Sequence, residues 1–297
     1  MTVPPPDGSR DRRIEDPSNL WLIHPLGRRL LPIAVARGIS ANAVSVAGLA
    51  LGTAAALAYA RFADWRFALL GLVLSIGWLV ADGLDGMVAR ATGTASPLGR
   101  MLDGLCDHGV FFLIYVALAT VWGTGGGWAL AIIAGAAHAV QSSLYEGERT
   151  RFHRRIRGVA LVAAPPAPAP SALVRYYDRI AGSPDRLAHE FEQRLAASAD
   201  PLALGARYAA AAVPPMRLLS LLTANVRIVA IFIACLAGDP RIFWWFEIGP
   251  LVAILLIGLA WHRRVERTLS AGIATSSIIS SAPAEAPARY LVKEQGQ

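Results

Sequence analysis

The sequence predicts an all-α polytopic membrane protein, a bundle of six transmembrane helices preceded by an N-terminal interfacial helix. Three observations carry this. Of 297 residues, 55% are hydrophobic and only 16% are charged, a balance that a soluble domain of this size does not show. Mean hydropathy is +0.45. Six apolar stretches are each long enough to cross a hydrocarbon core of about 30 Å, which takes roughly 20 helical residues.

These stretches lie near Ala41–Ala60, Phe67–Ala91, Pro97–Val121, Gly127–Glu146, Met216–Leu236 and Phe243–Trp261. Arginines gather before the first (Arg28, Arg29, Arg37), between the second and third (Arg90, Arg100), after the fourth (Arg149, Arg151, Arg154, Arg155, Arg157) and after the sixth (Arg263, Arg264, Arg267). The other connections carry little charge. By the positive-inside rule both termini and the long segment between the fourth and fifth spans are cytoplasmic, as in a bacterial inner-membrane protein. The net charge of +7 therefore follows from topology, and no nucleic-acid partner is expected.

Ahead of the bundle, residues 1–20 are polar, rich in proline and without a cleavable apolar core, so a disordered arm without a secretory signal is expected. Residues 21–40 mix aromatic, aliphatic and arginine side chains, as an amphipathic helix on the membrane surface does. The membrane domain then runs over 41–269, with a cytoplasmic insertion at 147–215 whose RYYDRIAGSPDRLAHEFEQRLAAS segment predicts one or two short amphipathic helices. Residues 270–297 lack periodicity and read as a disordered tail. Cys106 and Cys235 sit in apolar runs without metal-ligand spacing and read as packing residues.

Across the end of the second span and the start of the third runs VADGLDGMVARATGTASPLGRMLDGLCDHG, with Asp82, Asp85, Asp103 and Asp107 in otherwise apolar helix. Intramembrane acids are costly and point to function. At 100° per residue Asp82, Asp85, Gly86 and Ala89 share one helix face. Asp103 and Asp107, four apart, share a face of the next helix, which Ser96 and Pro97 are suited to start. The short turn makes the helices antiparallel neighbours, so the carboxylates converge. Their mutual repulsion calls for cations. Two divalent ions balance four acids, and oxygen-only ligands favour Mg²⁺ or Mn²⁺ over zinc. Gly86 leaves room for a substrate beside the acids.

The pattern D-x2-D-G-x2-A-R-x8-G-x3-D-x3-D, met here by Asp82, Asp85, Gly86, Ala89, Arg90, Gly99, Asp103 and Asp107, resembles the signature of the CDP-alcohol phosphotransferase (CDP-alcohol phosphatidyltransferase) family at every fixed position. The resemblance implies a six-helix homodimer with a cytoplasmic site, transferring a phosphatidyl group from CDP-diacylglycerol to a polar alcohol and releasing CMP. It implies that Asp82, Asp85 and Asp103 hold two Mg²⁺ ions. Asp107 would be the general base, also able to touch metal, and Gly86, Ala89, Arg90 and Ser96 would meet the CDP part. SANAVS resembles the family's entry to the first span, which adds Asn42 and Ser45 to the donor side, or else leaves them as caps. Ala41 stands where relatives carry proline, and Cys106-Asp107-His108 where many carry Ala-Asp-Lys.

On the fourth span His138, Gln141, Ser142, Tyr145 and Arg149 recur on one face, read either as polar helix glue or, at Tyr145, Glu146 and Arg149, as an acceptor pocket. The run Arg151, Arg154, Arg155 and Arg157 reads as topology or as a receptor for a phosphorylated acceptor. Two other functions compete with the first. One transfers a CDP-linked head group to a lipid alcohol such as diacylglycerol or a ceramide; the other is a divalent-cation carrier, which would spread its acids through the membrane depth rather than at one end of two helices.

Overall fold

A computed structural model describes residues 11–95, 97–161 and 189–280. Of these, 84% are helical, and there is no strand among the described residues. The order is a π-turn at Asn19–Ile23, α1 (His24–Ala36), α2 (Ala41–Tyr59), α3 (Trp65–Ala91), α4 (Pro97–Trp122) and α5 (Gly125–Arg155). Then come α6 (His189–Ala196), α7 (Pro201–Leu219), α8 (Ala224–Leu236), α9 (Arg241–Phe246), a second π-turn at Glu247–Leu251, and α10 (Val252–Ser280).

Local chemistry sets these boundaries. Ser40, Asp64, Thr124 and Asp200 each accept a backbone N–H in the first turn of α2, α3, α5 and α7, at 3.2, 2.9, 3.1 and 2.9 Å, satisfying groups the helix start leaves free. The turn after α3 is made by Gly93, whose φ of 66° disfavours side chains. Elsewhere glycine serves close approach: a Cβ on Gly71 would stand 2.6 Å from the Tyr59 ring, and one on Gly52 would overlap Val110. This draws α3 and α4 tightly onto α2.

Among the described residues five helices are long and apolar enough to cross a membrane, the last of them running from Arg241 to Ala271 through the second π-turn, and α7 with α8 makes a sixth if that bent pair is one span. The chain is an integral membrane protein. The span expected at Met216–Leu236 lies within this pair, which starts at Pro201 and bends by 42°. At the break Thr223 is extended (ψ 158°). The last span, expected at Phe243–Trp261, is crossed by the π-turn that contains Pro250, which offers no N–H to continue an α-helical ladder.

Among the described residues the apolar side chains form two large cores and a small one of Ala34, Val44, Ala81, Leu84 and Val88 between α1, α2 and α3. One large core joins α2, α3, α4, α5, α8 and α9 around Tyr59, Trp78, Phe111, Ile114 and Trp244. The other, at the far end of α5, gathers Tyr145, Phe152, Phe191, Tyr208, Met216 and Leu251 from α5, α6, α7 and the last span.

The N-terminal arm differs from its expectation. Residues 1–10 lie outside the described residues, but Ile14 is 1% exposed inside the second core. Asp16 is buried and accepts from Thr223 Oγ1 at 3.1 Å and Asn225 Nδ2 at 3.3 Å at the start of α8. At the end of the π-turn Ile23 packs beside Gly83, and in α1 Gly27 meets Met87 at 3.3 Å from where its Cβ would be, so this stretch lies on α3. Polarity hid the packing, because a buried carboxylate with hydrogen-bond partners looks like a solvated one in sequence. In the insertion, α6 matches the end of the expected amphipathic segment; residues 162–188 lie outside the described residues. Helix α10 continues to Ser280 through the start of the expected tail, and 281–297 lie outside the described residues.

Candidate active site

The aspartate-bearing ends of α3 and α4 meet α2 in a narrow cleft lined by Ser45, Gly48, Trp78, Asp82, Asp85, Cys106 and Asp107. Gly48 makes the approach possible, since its missing Cβ would lie 3.2 Å from that of Ala81. Trp78 floors the cleft and stacks edge-on against Phe111, centroids 5.3 Å apart. Three acids from two helices thus face one small space.

Asp85 is 5% exposed, and its Oδ2 accepts the Ser45 hydroxyl at 2.5 Å. A hydrogen bond to a charged carboxylate fixes its rotamer. Asp82 and Asp107 are half-buried. The backbone of Asp103 lies on α4 one turn before Asp107; its side chain, and Ser96 entirely, lie outside the described residues. Gly86 and Ala89 are half-buried one turn further along α3. Arg90 is exposed, with its Nη1 3.3 Å from where a Gly86 Cβ would be. Its guanidinium therefore folds back over the glycine.

Ser45 belongs to the cleft, but Asn42 does not line it and is exposed. Neither caps α2, a task that falls to Ser40. Sequence reasoning missed Gly48, Trp78 and Cys106 as cleft residues; apolar or small residues carry no chemical signal, and only their helix phase relative to Asp82 and Asp107 could have placed them.

On α5 the polar face divides in two. His138 and Gln141 turn inward: Gln141 donates to the Glu247 carbonyl at 2.9 Å and accepts from Arg227 at 2.7 Å. Arg227 in turn pairs with Glu247 at 2.8 Å, and His138 lies 3.4 Å from the same carboxylate. This is the glue reading. Arg227 and Glu247 were the overlooked partners, each an isolated charge in an apolar span, a pattern that ought to signal a buried pair. One turn on, Tyr145 is buried, Glu146 is exposed, and Arg149 pairs with Glu146 at 3.4 Å. None of Tyr145, Glu146 and Arg149 lines the cleft of Asp82, Asp85 and Asp107.

Can the residues hold a divalent ion? In the cleft, hard carboxylate oxygens converge on a space lined by α2, α3 and α4, the donor set that such ions take. A second group, Glu148, His262 and Glu266, has ligand atoms within 4.8 Å of one another and is fully buried. Its charges are already matched. Arg151 holds Glu148 at 2.7 Å, Arg263 bridges Glu148 and Glu266, Arg155 pairs with Glu266, and His262 joins Glu148 to Tyr208 by two contacts of 2.7 Å. An ion there would have to displace guanidinium groups, so this group reads better as a structural ion network than as a metal centre.

Residues 39–166 match the model of the family described as CDP-alcohol phosphatidyltransferase. Residues 39–166 are thus similar to the CDP-alcohol phosphatidyltransferases. The matched stretch covers less than half of the chain and contains the whole aspartate pattern together with α2 to α5. Among curated proteins, an "Uncharacterized CDP-alcohol phosphatidyltransferase class-I family protein 3" of Dictyostelium discoideum is 41% identical over 64 residues, 22% of this chain and 16% of that relative. The chain thus aligns with about a sixth of that relative's length. No solved structure matches. The CDP-alcohol phosphatidyltransferases are phosphotransferases that take a phosphoalcohol group from a CDP-alcohol, and they generally depend on a divalent metal.

Proposed function

We propose that the protein transfers a phosphatidyl group from CDP-diacylglycerol to a polar alcohol, releasing CMP, in a step of phospholipid synthesis. The observation that carries this is the convergence of Asp82, Asp85 and Asp107 on one cleft, inside the stretch matched to the family. In this reading Asp82, Asp85 and Asp103 would hold two Mg²⁺ ions, with Asp107 also able to touch metal. The ions would supply charge neutralisation for the diphosphate and the leaving phosphate.

The protein's own groups do the rest. Ser45 holds Asp85 in the orientation a ligand needs. Gly86 gives the donor room, and Arg90 above it meets a donor phosphate. Asp107 takes the proton of the acceptor hydroxyl as its oxygen bonds to the phosphorus that carries the transferred group. The bond from that phosphorus to the bridging oxygen breaks, and CMP leaves with the electron pair. Tyr145, Glu146 and Arg149 line the acceptor side. The arginine distribution supports a cytoplasmic mouth, and the homodimer implied by the resemblance is part of the same reading.

Purified protein in lipid nanodiscs, given CDP-diacylglycerol, Mg²⁺ and a panel of alcohols, should release CMP. Mg²⁺-stimulated turnover retained by Asp82→Asn and Asp85→Asn would contradict their assignment as ligands.

A further inference from the structure

We propose that the membrane interior of the protein holds a bound water, hydrogen-bonded by Tyr115 of α4, His138 of α5 and Glu247 of the second π-turn. The site is separate from the aspartate cleft and does not depend on the transfer reaction.

The three side chains are only 6, 5 and 0% exposed, and contacts bring them together. The rings of Tyr115 and His138 lie edge to face with centroids 6.1 Å apart, and Tyr115 packs on Phe243 at 5.3 Å. His138 Nδ1 stands 3.4 Å from Glu247 Oε1 without making a hydrogen bond to it. Most polar atoms around them are spent on one another. Arg227 Nε donates to Glu247 Oε1 at 2.8 Å, its Nη2 to Gln141 at 2.7 Å and its Nη1 to the Leu222 carbonyl. Gln141 Nε2 donates to the Glu247 carbonyl at 2.9 Å. Among the described residues, the Tyr115 hydroxyl, His138 Nδ1 and Glu247 Oε2 are each buried without a hydrogen-bond partner. The indole N–H of Trp244, three residues before Glu247, is another such group.

Buried polar atoms without partners are costly, and in a membrane span the surrounding hydrocarbon offers them nothing. Their chemistry says what relieves them. A tyrosine hydroxyl donates as well as accepts, an ionised carboxylate oxygen only accepts, and imidazole Nδ1 does either according to its tautomer. A water molecule accepts the Tyr115 proton, donates one to Glu247 Oε2 and meets His138 Nδ1 with its remaining capacity. About three such bonds are usual for a buried water. A cation suits the place less well, since Arg227 already matches the Glu247 charge and a single shared carboxylate is a poor ligand set for a divalent ion. The ligand is therefore small and neutral. Phe111 stands between this site and the aspartate cleft, its centroid 4.2 Å from that of His138 and 5.3 Å from that of Trp78. The water would tie α4, α5 and the π-turn together two turns beyond Asp107.

The test uses the full chain in nanodiscs, with two readouts. An experimental density map fine enough to show ordered waters should carry a peak about 2.7–3.2 Å from Tyr115 Oη and from Glu247 Oε2 or His138 Nδ1. A Tyr115 hydroxyl bonded directly to Glu247 or His138, with no peak between them, would overturn the proposal. The second readout is hydroxyl-radical footprinting by X-ray pulse, in which radicals form from bound waters as well as from solvent. Tyr115 should be oxidised several-fold faster than Tyr59, a fully buried tyrosine whose hydroxyl meets Ser75 Oγ at 3.5 Å. Equal oxidation of the two tyrosines would overturn the proposal as well. Neither readout involves CMP release, so a failure of the proposed function is told apart from a failure of this one.

Discussion

At the residue scale, Asp107 and Ser45 separate two roles within one cleft. Asp107 is the proposed base, so Asp107→Asn, which keeps shape and loses basicity, should lower CMP release by about 10²–10⁴-fold, measured as initial rate at saturating donor. Ser45 acts through Asp85, which accepts its hydroxyl at 2.5 Å. Losing a group that orients a metal ligand costs about 10–100-fold in metal affinity. Ser45→Ala should accordingly raise the Mg²⁺ concentration for half-maximal rate by about that factor, with a smaller effect on the rate at saturating Mg²⁺. An unchanged Mg²⁺ dependence would remove Ser45 from the site. The aspartates were legible in sequence because charge in an apolar helix is expensive and each spacing maps to one helix face. Gly48, Trp78 and the packing of Ile14 were not, since their importance lies in which neighbour they touch, and a single sequence does not record neighbours.

At the element scale, the short helix α6 is fastened to the end of α5 by charge, Glu192 pairing with Arg154 and Arg155, and Arg155 in turn pairs with Glu266 of α10. The Glu192 carboxyl is buried, which alone would raise its pKa, but hydrogen bonds from Arg154, the charge of Arg155 and the Leu161 N–H hold it down to about 2. A depressed carboxyl stabilises the fold fully above its ordinary value of 4.5 and loses that contribution as pH falls toward about 2. Thermal unfolding between these limits should therefore show a steeper loss of stability on acidification in wild type than in Glu192→Gln. The neighbouring pair of Arg155 and Glu266 is buried, and Glu266→Gln, which leaves the guanidinium with Glu192 as its remaining carboxylate, should cost about 1–3 kcal/mol by the same measurement. Gly205→Ala tests the contact of α7 with α5: its Cβ would overlap the Arg155 carbonyl oxygen, and backbone cannot swing aside as a flexible side chain can. The helices themselves were legible from length and hydropathy. The bend at Thr223 and the π-turn at Glu247 were not, because both are set by tertiary partners, Asp16 in one case and Arg227 with Gln141 in the other.

At the scale of the whole molecule, the proposed topology, which rests on the arginine distribution, has the aspartate cleft, the ends of α5 and α10, and α6 on one side of the membrane. Cysteine introduced at Ala199, exposed after α6, and at Gly126, exposed at the start of α5 with open space around its Cβ position, should react with a membrane-impermeant thiol reagent from opposite faces of sealed vesicles. The Ala199→Cys site should label only from the cytoplasmic side; labelling of both from one side would break the proposed topology. The central claim, that the converging aspartates perform group transfer with CMP as product, is tested most directly by one assay. Wild type and Asp107→Asn in nanodiscs are given CDP-diacylglycerol, Mg²⁺ and a panel of unphosphorylated and phosphorylated alcohols, and CMP is quantified. The account predicts CMP from wild type together with a new phosphodiester lipid, and almost none from the variant. No CMP from wild type with any CDP-linked donor, or equal release from both proteins, would contradict it.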